Sequence, residues 1–174
     1  PAQFQDWPRV EWRSVSGGLA FERILPNGVS FGGSVTKQGG ATVAMELHVK
    51  NGSQGPLKDI TLQTCAFLRA VREFSDFTRS NKFIHVPEKG WVPMDEAAQL
   101  PEGKGPYRVG WRRRGKLLAD WPVIVAASNQ AERLVAMTWH QATLSLVSNP
   151  NHPCMHADPQ VKDLEPGEKA VVRG

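Results

Sequence analysis

The chain has 174 residues, 40% of them hydrophobic and 22% charged, with a formal net charge of +4 at pH 7. That is enough length for one domain to bury its own core, with the composition of an ordinary globular protein. No stretch approaches the roughly 18 consecutive apolar residues of a membrane span, and so mild a basic excess does not favour nucleic acid as a partner.

Gly32-Gly33 and Gly39-Gly40 lack the pattern and helix start of a phosphate-binding loop, and both read as turns. The clearest period follows. Val43, Met45, Leu47 and Val49 alternate with Thr42, Ala44, Glu46, His48 and Lys50, predicting a strand with one buried face and His48 turned to solvent. Asn51-Gly52 breaks it, and residues 57–68 resume as a strand with apolar residues on both faces. Residues 75–105 are less regular and carry His85, Trp91 and Met94. They read equally as a binding loop or as a plain edge strand and connection. Within them, Pro93 ahead of Asp95-Glu96-Ala97-Ala98 predicts one helical turn between Met94 and Leu100.

Residues 107–111 and 116–119 predict a hairpin around Arg112-Arg113-Arg114, the dense basic run, which reads as a solvated turn. Residues 122–127 and 133–140 flank the polar turn 128–132, residues 142–147 follow as another strand, and 169–173 close the chain after Pro166-Gly167. Many short strands, with 16 glycines and 13 prolines, predict an all-β fold: an antiparallel β-sandwich or jelly roll in a single domain over residues 1–174.

The densest chemistry lies in Asn149-Pro150-Asn151-His152-Pro153-Cys154-Met155-His156-Ala157-Asp158-Pro159. Set between turn-forming prolines after a strand, it reads as a loop at a sheet edge, where binding and catalytic groups commonly sit. His152 or His156 are candidate acid/base groups, with Asp158 orienting an imidazole and His140 contributing from elsewhere. Alternatively the two histidines are ligands of zinc or copper, joined by Cys154, His85 or His140, since residues 152, 154 and 156 share one face of an extended segment. The spacing matches no zinc finger, HExxH helix or blue-copper loop. A third reading is purely structural, with these side chains bonding to nearby backbone. Cys65 and Cys154 stand as a disulfide, as two free thiols or as thiolates at a metal.

Six tryptophans are many for this length: Trp7, Trp12, Trp91, Trp111, Trp121 and Trp139. Flat aromatic faces stack on the C–H groups of sugar rings. Trp91, in the irregular region, is the best exposed candidate, and Trp139, beside His140, the best candidate for a shared site. Arg69 and Arg72 could hold an acidic sugar, or form surface ion pairs.

The motifs Asn149-Pro150, His152-Pro153-Cys154-Met155-His156-Ala157-Asp158-Pro159 and Leu164-Glu165-Pro166-Gly167-Glu168 resemble those of a group of secreted, largely uncharacterised bacterial β-sandwich proteins. The stretches Leu47-His48-Val49-Lys50-Asn51-Gly52-Ser53 and Leu62-Gln63-Thr64-Cys65 are similar as well. More loosely, the chain resembles the galactose-mutarotase-like and jelly-roll sandwiches of carbohydrate-active enzymes. The cupin HxH-and-glutamate motif is missing. The resemblance implies an exported protein, secreted or periplasmic, with a carbohydrate ligand. The expectation is a protein that recognises or processes carbohydrate, as a hydrolase or lyase if it is an enzyme, at a His/Cys/Asp loop. The alternatives are a zinc or copper protein using the same histidines, and a non-catalytic binding module. No signal peptide is visible from Pro1, which decides nothing about export, because processed chains lack one.

Overall fold

The computed structural model describes residues 9–75 and 78–174, so Trp7 lies outside the described residues. The fold is all-β, built from antiparallel-rich sheets with almost no helix. Sequence suggests one domain without a linker. The chain divides into two compact units, one ending at Lys58 and resuming over Lys162–Arg173, the other spanning Asp59–Val161 with Gly174.

The first unit is one antiparallel sheet of β1 (Arg13–Val15), β2 (Gly18–Ile24), β3 (Ser30–Gln38), β4 (Thr42–Lys50) and the chain-closing β14 (Lys169–Arg173), paired in that order. The strand predicted over residues 42–50 and the closing strand both form. Three details of the sequence reading are corrected. Gly32 and Gly33 lie inside β3 and not in a turn. A Cβ at Gly32 would stand 2.7 Å from the His48 ring and 2.5 Å from the Phe21 carbonyl oxygen, so the glycine admits a neighbouring side chain. That ring is His48, which is half-buried with Nε2 3.7 Å from Glu22 Oε1, and is not a free surface residue. Val43, expected on a buried face, is exposed. Gly39-Gly40 is a turn.

The end of β4 has a chemical cause. Asn51 is fully buried; its Nδ2 donates to the carbonyls of Gly55 at 2.8 Å and Leu164 at 2.9 Å, while its Oδ1 accepts from Ser53 N–H. An asparagine that bonds local backbone in this way replaces ladder hydrogen bonds and turns the chain.

The second unit is a two-layer sandwich. One sheet orders β11 (Leu134–Thr138), β10 (Val123–Ala127), β6 (Lys82–Val86) and β7 (Gly90–Pro93). The other orders β5 (Ala66–Phe67), β13 (Cys154–Pro159), β12 (Thr143–Ser148), β8 (Tyr107–Val109) and β9 (Lys116–Ala119), with β8 and β12 parallel. β10 and β11 pack against β13. Ile124 and Ala126 of β10 and Cys154, Met155 and Ala157 of β13 are fully buried.

Most elements follow expectation: the β8–β9 hairpin around an exposed arginine turn, the β10–β11 hairpin, and the helical turn α1 (Met94–Ala97). The irregular region 75–105 contains the ordinary β6–β7 hairpin. Residues 57–68 do not form one strand. Asp59 adopts φ 54°, and only isolated bridges at Leu57 and Thr61 precede the two-residue β5. The strand expected over residues 133–140 stops at Thr138, and His140 begins a 3₁₀ turn.

The largest correction concerns the His/Cys segment. Residues from Cys154 onward are a strand buried at every position and paired on both sides, not an exposed loop. The loop proper is confined to residues 149–153.

Candidate functional site

Among the described residues, two groupings of chemically capable side chains emerge, and both lie in the second unit. The first runs along β13. Alternation in a strand places Cys154, His156 and Asp158 on one face and Met155 and Ala157 on the other. Cys154 Sγ lies 3.1 Å from His156 Nε2, and His156 Nδ1 lies 3.6 Å from Asp158 Oδ1. His156 and Asp158 are 2% and 1% exposed. The Trp111 ring meets the His156 ring edge-on at 5.1 Å.

Residues 64–65 close over this row. Thr64 N–H donates to Asp158 Oδ1 at 2.9 Å, and the Thr64 hydroxyl donates to the Ala157 carbonyl oxygen. Trp139 Nε1–H in turn donates to Thr64 Oγ1 at 3.0 Å. Pairing of β5 with β13 then brings Cys65 to the row: the donor atoms of Cys65, Cys154 and His156 lie within 4.8 Å of one another. Both cysteines are free thiols, with Cys65 exposed and Cys154 buried.

Desolvation raises both sulfurs, that of Cys65 in spite of the exposure of the residue as a whole. The Cys65 thiol is pushed up to about 12, first by desolvation, then by neighbouring Cys154 and by the Asp158 carboxylate. Burial also raises Cys154, against an opposing hydrogen bond from the Asn149 backbone. Thiolate is the nucleophilic form. Without a bound cation, desolvation therefore favours the thiol over the thiolate at both sulfurs.

A reactivity test follows. A raised folded value means that the fold favours the neutral thiol, so this contribution to stability is present below the unfolded value of 9.0 and is lost as pH rises from there towards 12. In chelator at pH 8, folded Cys65 should react with iodoacetamide at least about tenfold more slowly than in the urea-unfolded chain, despite its exposure. Peptide mass mapping of the alkylated chain reads this directly. Equal rates would show that the fold leaves the sulfur unperturbed.

The second grouping is on the surface. His85 in β6 faces Trp91 in β7 across the hairpin. Its Nδ1 lies 2.7 Å from Asp120 Oδ1, and Asp120 N–H donates to the His85 carbonyl oxygen at 3.2 Å. The imidazole stacks on Trp121, with centroids 4.6 Å apart and planes 16° apart, and meets Trp91 edge-on at 5.5 Å. Trp91 and Trp121 stand at 85° to each other, 5.6 Å apart, and are 45% and 49% exposed. The His85 and Asp120 side chains also retain solvent exposure.

The sequence-stated candidates thus fall apart into several places. His85 and Trp91 come together, with Asp120 and Trp121 as members that sequence reasoning missed. Asp120-Trp121-Pro122, wedged between two strands, was the available signal. His156 and Asp158 adjoin, but inside the sandwich. His152 stays off the row: its ring packs on Phe67 at 5.4 Å, and Asn149 Nδ2 lies 2.8 Å from its Nε2. His140 is exposed at φ 49°. Trp139 is core, 2% exposed. Arg69 and Arg72 occupy two short 3₁₀ turns, Leu68–Ala70 and Arg72–Phe74.

Among the described residues, no helix is long and apolar enough to cross a membrane. No protein-family model matches the chain, and the curated proteins and solved structures give no match to it either.

Proposed function

We propose that this protein recognises carbohydrate, and that the sugar lies in the corner formed by Trp91 and Trp121. The observation that carries this reading is the pair of half-exposed indoles at 85°, held around the His85–Asp120 pair. Large apolar rings left in water cost free energy unless something covers them. A sugar ring has the matching chemistry: its C–H face covers an indole while its hydroxyls seek donors and acceptors. Here the imidazole and carboxylate supply those polar partners beside the indole faces. The hydrogen bond between them fixes the orientation of both before ligand arrives, which reduces the ordering cost of binding.

Affinity electrophoresis of the full chain through neutral and acidic polysaccharides tests the proposal. At least one polysaccharide should retard the parent protein. Trp91→Ala and Trp121→Ala should each weaken that binding by about tenfold, or roughly 1.4 kcal/mol. Both side chains are half-exposed, so the variants should keep the parent's far-UV spectrum. No retardation by any polysaccharide, or retardation unchanged in both variants, would sink the reading.

A further inference from the structure

We propose that Cys65, Cys154 and His156 form a zinc site, a function separate from the surface corner. The three donor atoms lie within 4.8 Å of one another. Zinc–sulfur bonds of about 2.3 Å and zinc–nitrogen bonds of about 2.0 Å, in a tetrahedron, place donors roughly 3.5–3.8 Å apart. The Cys154 Sγ to His156 Nε2 distance of 3.1 Å is therefore close to the spacing a shared cation needs. Two thiols and an imidazole are a soft and borderline donor set, which selects zinc over magnesium or calcium.

The surroundings of His156 point the same way. A metal-bound imidazole commonly directs its second nitrogen at a carboxylate, which fixes the ring and strengthens the ligand. His156 directs Nε2 at the sulfur of Cys154 and Nδ1 at Asp158 Oδ1, 3.6 Å away. His156 Nδ1 and Asp158 Oδ2 are buried without a hydrogen-bond partner. A cation at Nε2 would make Nδ1 the protonated nitrogen and draw it to the carboxylate. Asp158 is itself held by Thr64 N–H, so the residue preceding one ligand orients another.

Zinc binding releases the two thiol protons to solvent and leaves two zinc–sulfur bonds and one zinc–nitrogen bond, with no change in oxidation state. Three protein ligands leave one position for water. Cys65 is the exposed member of the set, which puts that position within reach of solvent.

The test uses the tag-free full chain, purified with reductant. Elemental analysis should find about one zinc per chain, and cobalt(II) replacing it should give a thiolate-to-metal charge-transfer band with intense tetrahedral visible absorption. Cys65→Ser should abolish the band and the zinc while leaving the far-UV spectrum intact, since Cys65 is exposed. Asp158→Asn should retain the band but weaken zinc affinity by about 10–100-fold against a competing chelator. A folded, reduced chain that shows no cobalt–thiolate band overturns the proposal. So does a Cys65→Ser variant with unchanged zinc, or a Cys65–Cys154 disulfide in protein purified without reductant but with zinc supplied. None of these outcomes bears on polysaccharide retardation, which is read from Trp91 and Trp121.

Discussion

Replacing Ile84 with alanine is expected to destabilise the second unit by about 3 kcal/mol, a cost in the usual range for losing a large aliphatic side chain from a tight core. Ile84 sits at the centre of β6, paired in register with Ile124 of β10, and both are fully buried. Removing its outer carbons forfeits transfer energy and leaves a cavity that two hydrogen-bonded strands cannot close by moving together. In a chain of this length the loss corresponds to roughly 6–12 °C in Tm. Urea titration followed by far-UV circular dichroism reads it. The control is Ile24→Ala in the other unit: Ile24 is largely exposed, and its truncation should change stability by no more than about 0.5 kcal/mol. Similar losses at both positions would contradict the burial on which this architecture rests.

The contrast between those isoleucines also shows what sequence makes legible. Where polar and apolar residues alternate, the period of two reveals a strand, as for β4, whose limits it matches residue for residue although the burial there does not alternate. In β13 every position is buried, so its His and Asp are internal groups held by one another and by Thr64, and polar letters between prolines read as a loop. β3 was hidden for a different reason. Glycines usually mark turns, and here they mark a close approach by His48.

Sites depend on register, and register has no local signature. His85 and Trp91 are both conspicuous in the sequence, but nothing near either shows that they face each other across a hairpin. Nor does anything show that the β9–β10 connection adds Asp120 and Trp121 to them. The same holds for Cys65. Its neighbourhood reads as continuous strand, while its place beside Cys154 and His156 follows from a two-residue pairing of β5 with β13. The visible cluster 149–159 therefore reads as a solvent-facing loop, whereas the fold places most of it inside.

That interior placement makes Asp158 the most consequential polar side chain in the row. Asp158→Ala should destabilise the chain by about 1–3 kcal/mol, the usual cost of leaving a donor without its buried acceptor. The side chain is 1% exposed; its Oδ1 accepts from Thr64 N–H and faces His156 Nδ1. Alanine removes the acceptor of the Thr64 N–H, and a buried group left unsatisfied costs about 1–3 kcal/mol. Asp158→Asn keeps an acceptor for Thr64 and nearly the same volume, so it should cost about half as much or less. Urea midpoints for parent, Ala and Asn, at constant denaturant slope, give the comparison. Equal losses for Ala and Asn would assign the effect to the missing charge. Negligible losses for both would mean that Thr64 and His156 find other partners, and that residues 64–65 are not tied to β13 through this carboxylate.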